Sequence, residues 1–173
     1  AAQALVDTYM TIPTEIGVSV GPSTAVPTGK KVAWLACELP SCAEVGEDWG
    51  KITDALGWEL KTINVESGSP GAGVQEAIDW GANYIAISGS PVATFAEQFD
   101  AAVAAGIKFA FAYNGEAPTD GILTSISGND SVYAAGARMA NYIIADSGAA
   151  ANVLMVNIQL FPVLVAEEEG MRD

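Results

Sequence analysis

The residues best suited to chemistry are Cys37 and Cys42, the only cysteines in the chain, five positions apart in "WLACELPSCAEVGEDW". Cys37 closes an apolar run and Cys42 opens a helical pattern, across a loop that holds Pro40. Such a pair admits four roles: nucleophile, metal clip, redox couple or structural staple. A thiol at a helix N-terminus can be acidified and reactive. Yet the chain contains no histidine, so neither a Cys-His pair nor a Ser-His-Asp triad can form, and no imidazole zinc site exists. The spacing is not that of a CxxC redox pair, and two thiolates alone hold zinc poorly. An enzyme built on this chain would have to work with carboxylates, Lys, Tyr or Cys, and no catalytic constellation, metal site or cofactor motif can be named.

Other local patterns have structural readings beside their functional ones. Gly71 and Gly73 in "SPGAGVQE" invite a phosphate cradle, but the full glycine fingerprint and a P-loop lysine are missing, so a helix-entry turn is expected. Asn129-Asp130-Ser131 fits an N-glycosylation acceptor and equally a helix N-cap, which is the expectation here. Glu116 and Asp120 share a loop and are expected to be solvated charges. Glu167, Glu168 and Glu169 open a C-terminal helical pattern, where they are expected to face solvent and favour the helix dipole.

What positions these residues follows from length and patterning. The chain has 173 residues, half of them hydrophobic and 16% charged, a globular composition with enough length for one substantial core. The longest apolar runs, such as 107–113, are far too short to cross a bilayer. No cationic, apolar secretory segment stands at the start, so the expectation is that a signal segment is absent from this chain. Seven Lys plus Arg against 21 Asp plus Glu give a net charge of −14. A surface this acidic repels phosphate backbones and anionic lipid, which argues against nucleic-acid partners.

Residues 1–29 are rich in Pro, Thr, Ser and Gly and read as an extended leader with one short helix over 4–10. From Lys30 an alternation sets in. "KVAWLAC", "WELKTINV", "NYIAIS" and "IKFAFAY" are short apolar runs suited to buried strands. Between them lie helical stretches closing at Gly57, Gly81 and Gly106. In the first stretch Val45, Trp49, Ile52 and Leu56 share a face. The second and third open at Pro70 and at Ser90-Pro91. This order predicts an α/β fold of three layers, a mostly parallel sheet with helices on both faces. Function is then expected at the carboxyl ends of the strands, beside the topological switch point. The rhythm breaks after Tyr113. "ILTSIS" is a short strand reached without a helix, and a long helix follows with Val132, Ala135, Met139, Tyr142 and Ile143 on one face. "NVLMVNI" is expected as another buried strand, and a last helix starts at "FPVLVAEEEG".

This element order, with "ALGW" before the second strand, "AAGI" before the fourth and "GND…AAG" at the break, resembles the type I periplasmic-binding-protein fold. It is similar in particular to the sugar-type substrate-binding proteins of ABC transporters, relatives of LacI-type sensor domains. The likeness runs from Lys30 to the end, about four-fifths of the chain. It implies an N-terminal extension over 1–29, a first lobe over 30–127, and the beginning of a second, incomplete lobe over 128–173, with a hinge near 127–129. Two-lobed relatives hold a solute between their strand ends, so the resemblance implies a truncated, non-catalytic, extracytoplasmic solute-binding component without cofactor. Its partners would be a small sugar-like molecule and a membrane permease. A sensor domain related to transcriptional regulators is the second implication. It is weakened by the −14 charge and by the lack of a helix-turn-helix ahead of Lys30. A flavodoxin-like α/β enzyme is the third.

Carried over position by position, the resemblance implies ligand contacts at Cys37, Glu38 and Ser41, at Ser88 and Ser90, and at Tyr113 and Asn114. Asn129 and Asp130 would cap the crossover helix and touch ligand. Ser, Asn and acidic groups supply the paired donors and acceptors that sugar hydroxyls need. Two departures widen the expected ligand class. Sugar binders of this kind carry an Asp at the end of the fourth strand, where this chain has Tyr113-Asn114. They also carry an Arg in the last helix, where this chain has Glu167, Glu168 and Glu169. A more apolar small molecule is therefore the alternative, with Trp34, Phe111 and Phe161 able to line the cleft, although aromatic residues in buried strands more often pack a core. An extracytoplasmic setting also favours oxidation. On that implication Cys37 and Cys42 are expected as a disulfide, worth about 2 kcal/mol in the loop-entropy account.

Overall fold

The computed structural model describes residues 1–15 and 18–173; positions 16 and 17 of the expected leader lie outside the described residues. Strands β1 (Lys31–Ala36), β2 (Glu59–Asn64), β3 (Tyr84–Ser88), β4 (Lys108–Ala112) and β5 (Ile122–Ile126) pair in parallel throughout. Their order is β2-β1-β3-β4-β5. In chain order the helices are α1 (Ala2–Tyr9), α2 (Pro40–Leu56), α3 (Gly71–Trp80), α4 (Ala96–Ala104), α5 (Asn129–Ser147) and α6 (Pro162–Arg172). Helices α2, α3 and α4 make the crossovers that parallel pairing requires. The expected α/β sheet with helices on both faces is thus the observed architecture, and the helix stops at Gly57 and Gly81 are left-handed, as that residue type allows.

Side-chain alternation divides the sheet into two unlike faces. Leu35, Ile85, Ile87, Phe109 and Phe111 are buried on one face, against Val74 and Ala77 of α3 and Phe95 and Ala102 near and within α4. The rings of Phe95, Phe99, Phe109 and Phe111 stack and tilt against one another at centroid distances of 4.9–6.5 Å. The other face carries Trp34, Ala36 and Ala86 under α2, closed by Cys42 with Trp49 and Leu60 at its margin.

Several expectations need correction. Val45 and Ile52 are exposed on α2, whose buried side carries Cys42, Gly46 and Thr53. The helix is turned by Trp34, whose indole Nε1 donates to the Cys42 carbonyl at 2.9 Å. At Gly46 a Cβ would stand only 3.1 Å from the Trp34 ring. The stretch after Pro91 is a 3-10 turn (Val92–Thr94) followed by α4, the two parted at Phe95 by its extended φ of −149°. On α5 it is Val132 and Gly136 that are buried, whereas Met139 and Tyr142 are exposed. There a close helix crossing replaces a broad apolar face. A Cβ on Gly136 would collide with the Glu167 carbonyl of α6, and one on Gly170 with the Tyr133 carbonyl of α5.

"NVLMVNI" forms no strand: residues 151–158 carry no regular structure, and Leu154 and Val156 are 90% and 85% exposed. A strand exists only against a partner, and this segment pairs with neither edge strand of the five-stranded sheet, β2 or β5. It is tied instead to α6, through Asn157 Nδ2 donating to the Leu164 carbonyl at 3.2 Å and to Glu168 Oε2 at 2.6 Å. The short helix expected in the leader is α1, which buries Val6 and sets Tyr9 5.1 Å from the Arg138 guanidinium of α5.

Candidate functional site

In this strand order the direction of winding reverses between β1 and β3, so the loops leaving their carboxyl ends part and open a crevice. The loop after β1 is short, rises through Cys37 and Glu38, and turns into α2 at Pro40. Cys37 and Cys42 are joined as a disulfide, with Cα atoms 5.5 Å apart. The bridge pins that loop to the first turn of α2, so the pair is a staple and not a nucleophile or metal clip.

A cavity of about 600 Å³ lies at these ends and runs down the α2 face of the sheet. Cys37, Ser41, Ser88 and Tyr113, four of the expected contacts, line it together with Trp34 and Phe161. Its floor follows from alternation: Ala86, Ser88, Ala110 and Ala112 are the short residues whose neighbours, Ile85, Ile87, Phe109 and Phe111, fill the opposite face. Phe111, expected as a possible cleft wall, does border the cavity, while it is buried among those core rings. Phe161, at the start of α6, brings its ring to 3.0 Å from where a Cβ at Gly89 would stand, a position that also has φ +77°. Only glycine fits both demands.

The remaining expected contacts separate. Glu38 and Cys37 border a depression of about 490 Å³ with Glu66. Asn129 and Asp130 line a polar one of about 500 Å³ with Glu116, Ser125 and Ser127. Asn129 does not cap α5: Gly128 holds the cap position without a side-chain bond, and Asn129 is already the first helical residue. Asp130 falls in the first turn, where the helix dipole favours a carboxylate. Tyr113 and Ser127, at the ends of β4 and β5, take left-handed φ values of 50° and 55°, unusual for residues with a Cβ and concentrated at this edge.

Ser90 and Asn114 are buried beneath the cavity rim at 1% exposure each. Asn114 Nδ2 donates to the Ser90 carbonyl at 3.1 Å, and its Oδ1 accepts from the Glu116 N–H at 2.7 Å. Ser90 Oγ donates to the Ser67 carbonyl at 2.9 Å. Glu116 is therefore no solvated loop charge; its Oε1 accepts the Val92 N–H at 3.1 Å. The chain of bonds continues to Glu38, whose Oε2 accepts from Ser67 N–H and Oγ at 3.1 and 3.0 Å. The backbone N–H groups of Glu38 and then of Ser67 hold the Glu38 carboxyl below its ordinary pKa; desolvation opposes them, and the Ser67 hydroxyl adds a smaller lowering. Four strand ends are thereby laced together.

Ser67 is what the reading from sequence missed. Contacts were placed at the ends of the first, third and fourth strands, leaving the second out. The signal was "NVESGSP", a carboxylate and two serines directly after β2, next to β1 in the sheet. Gly71 and Gly73 in the same stretch serve helix entry, and Gly73 lies against Val65 and Ile63. Glu167, Glu168 and Glu169 fall beyond the first turn of α6, so they do not serve its N-terminal dipole; Glu168 Oε1 accepts from Arg172 at 2.6 Å.

No protein-family model matches the chain, and no curated protein matches it by sequence. Solved structures do match. An ABC sugar transporter subunit from Rhodobacter sphaeroides superposes with a TM-score of 0.66 at 18% identity, over 84% of this chain and 51% of that one. A 5-methylthioribose transporter solute-binding protein from Thermotoga lettingae, in complex with 5-methylthioribose, gives 0.69 at 13% identity, over 84% and 45%. An ABC transporter solute-binding protein from Clostridium phytofermentans with bound β-D-glucose gives 0.68 at 13%, over 82% and 46%. The chain spans about half the length of these solved structures. At such identities the likeness establishes the fold.

Proposed function

We propose, from a chain that has the fold of one lobe of the type I periplasmic binding proteins, that it belongs to the extracytoplasmic solute-binding component of an ABC importer. On this reading it binds a small polar, sugar-like molecule at the carboxyl ends of its strands and performs no catalysis. Residues 30–127 make the first lobe, 128–173 open a second, and 1–29 are an extension. Closure about the hinge near 127–129 would bring the lobes together for a membrane permease. The observation that carries the reading is the meeting of Cys37, Ser41, Ser88 and Tyr113 around one cavity at the β1/β3 switch point. The disulfide supports an extracytoplasmic setting, and among the described residues no helix is long and apolar enough to cross a membrane.

The alternative of a more apolar ligand is favoured by a specific feature, the Trp34 and Phe161 walls over a floor of alanines. A thermal-shift screen of the full protein with D-glucose, D-ribose, 5-methylthioribose and small aromatic acids separates the two. A melting-point rise with the sugars is expected. A rise confined to the aromatic acids would overturn the sugar reading in favour of the apolar one, and no rise with any of them would overturn both.

A further inference from the structure

β1 and β2 are neighbours, so the loops leaving their carboxyl ends meet, and side chains make the meeting. Ser67, in the loop after β2, is only 1% exposed. Burying a hydroxyl is costly unless it is bonded. This one is directed at an exposed carboxylate, donating to Glu38 Oε2 at 3.0 Å beside the Ser67 N–H at 3.1 Å. Ser67 is itself held from behind, its carbonyl accepting Ser90 Oγ at 2.9 Å, with Asn114 bracing Ser90 in turn. The depression that Glu38 borders has Glu66 as its other charged residue and no Lys or Arg among the described residues. No ion pair therefore takes up the Glu38 charge, and a carboxylate has about four acceptor positions, of which Ser67 fills two and the Glu38 backbone N–H draws on another.

We propose that Ser67 is a positioning residue: it fixes the Glu38 carboxylate in the depression between the β1 and β2 loops, which adjoins the cavity through Cys37 and Leu39, so that its remaining acceptor capacity meets the hydroxyl groups of a solute. The inference rests on the reading of the strand ends as the solute site. A fixed acceptor loses less conformational freedom on binding than a free glutamate, which carries large rotamer entropy.

The test uses the full protein with Ser67→Ala, Ser67→Thr and Glu38→Gln. First, the Glu38 carboxyl is titrated by carbon-13 NMR. In Ser67→Ala it should titrate at higher pH than in the wild type, and in Ser67→Thr, which keeps the hydroxyl, at the wild-type value. Second, D-glucose, D-ribose and 5-methylthioribose are used as probes in calorimetry. Ser67→Ala should weaken the probe that binds by about fivefold, the worth of one hydrogen bond. Combined with Glu38→Gln it should add no further loss, because the two residues act as one unit. A folded Ser67→Ala protein with an unchanged Glu38 titration overturns the proposal, and so do strictly additive losses. Should Ser67→Ala fail to fold, Ser67→Cys, which keeps the backbone bond and a weak donor, is read in the same two assays. If the wild type binds none of the probes, the solute reading fails, and the titration alone then decides whether Ser67 holds Glu38.

Discussion

The two faces of the sheet are built from the same strands and could hardly be less alike. Toward α3 and α4, alternate positions carry Leu35, Ile85, Ile87, Phe109 and Phe111, all at most 1% exposed. Toward α2, the intervening positions carry Trp34 and then Ala86, Ser88, Ala110 and Ala112, and a cavity of about 600 Å³ remains. One face has been filled to make the strands stable; the other has been kept shallow where they end. The difference teaches that burial and site formation are shared out residue by residue along a strand, with a period of two.

The comparison can be broken most forcefully on the filled face. Phe109→Ala should cost about 3–5 kcal/mol in denaturant unfolding, because a core ring with fixed neighbours leaves a cavity behind. A loss below about 1 kcal/mol would mean that this face is not the core. Reduction of Cys37–Cys42 comes next, with an expected loss of about 2 kcal/mol from the freed loop; equal stability with and without reductant would contradict the staple. Asn114→Ala removes bonds to Ser90 and Glu116, and about 1–2 kcal/mol is expected from the buried groups left unpaired. The smallest effect belongs to the open face. Ala110→Val should change stability by less than about 1 kcal/mol, since its methyl groups enter existing space instead of a packed core. A cost of several kcal/mol there would show that the face is closed.

Much of this fold was legible in the chain because its signals are local. The apolar runs at "KVAWLA", "YIAIS" and "KFAFA" and the glycines that stop α2 and α3 act through neighbours a few residues away. What was not legible depends on distant partners. Which side of α2 turns inward is decided by the Trp34 indole reaching the Cys42 carbonyl, and no helical periodicity contains that bond. Residues 152–158 have every mark of a strand, yet they pair with neither β2 nor β5, the two edges of the sheet. The site was readable to the level of strand ends, so Cys37, Ser41, Ser88 and Tyr113 fall around one cavity. Whether a polar residue faces that cavity or braces the loops beneath it was not readable. Ser90 and Asn114 brace, and Ser67 emerged only when β2 was seen lying beside β1.

The account stands most directly on amide chemical-shift mapping of the full protein with D-glucose, D-ribose and 5-methylthioribose. Perturbations gathered at Cys37, Glu38, Ser41, Ser88, Gly89 and Tyr113 are the predicted result. Saturable perturbations confined to the amino ends of the strands, around Lys31, Tyr84 and Lys108, or none with any of the three, would contradict it.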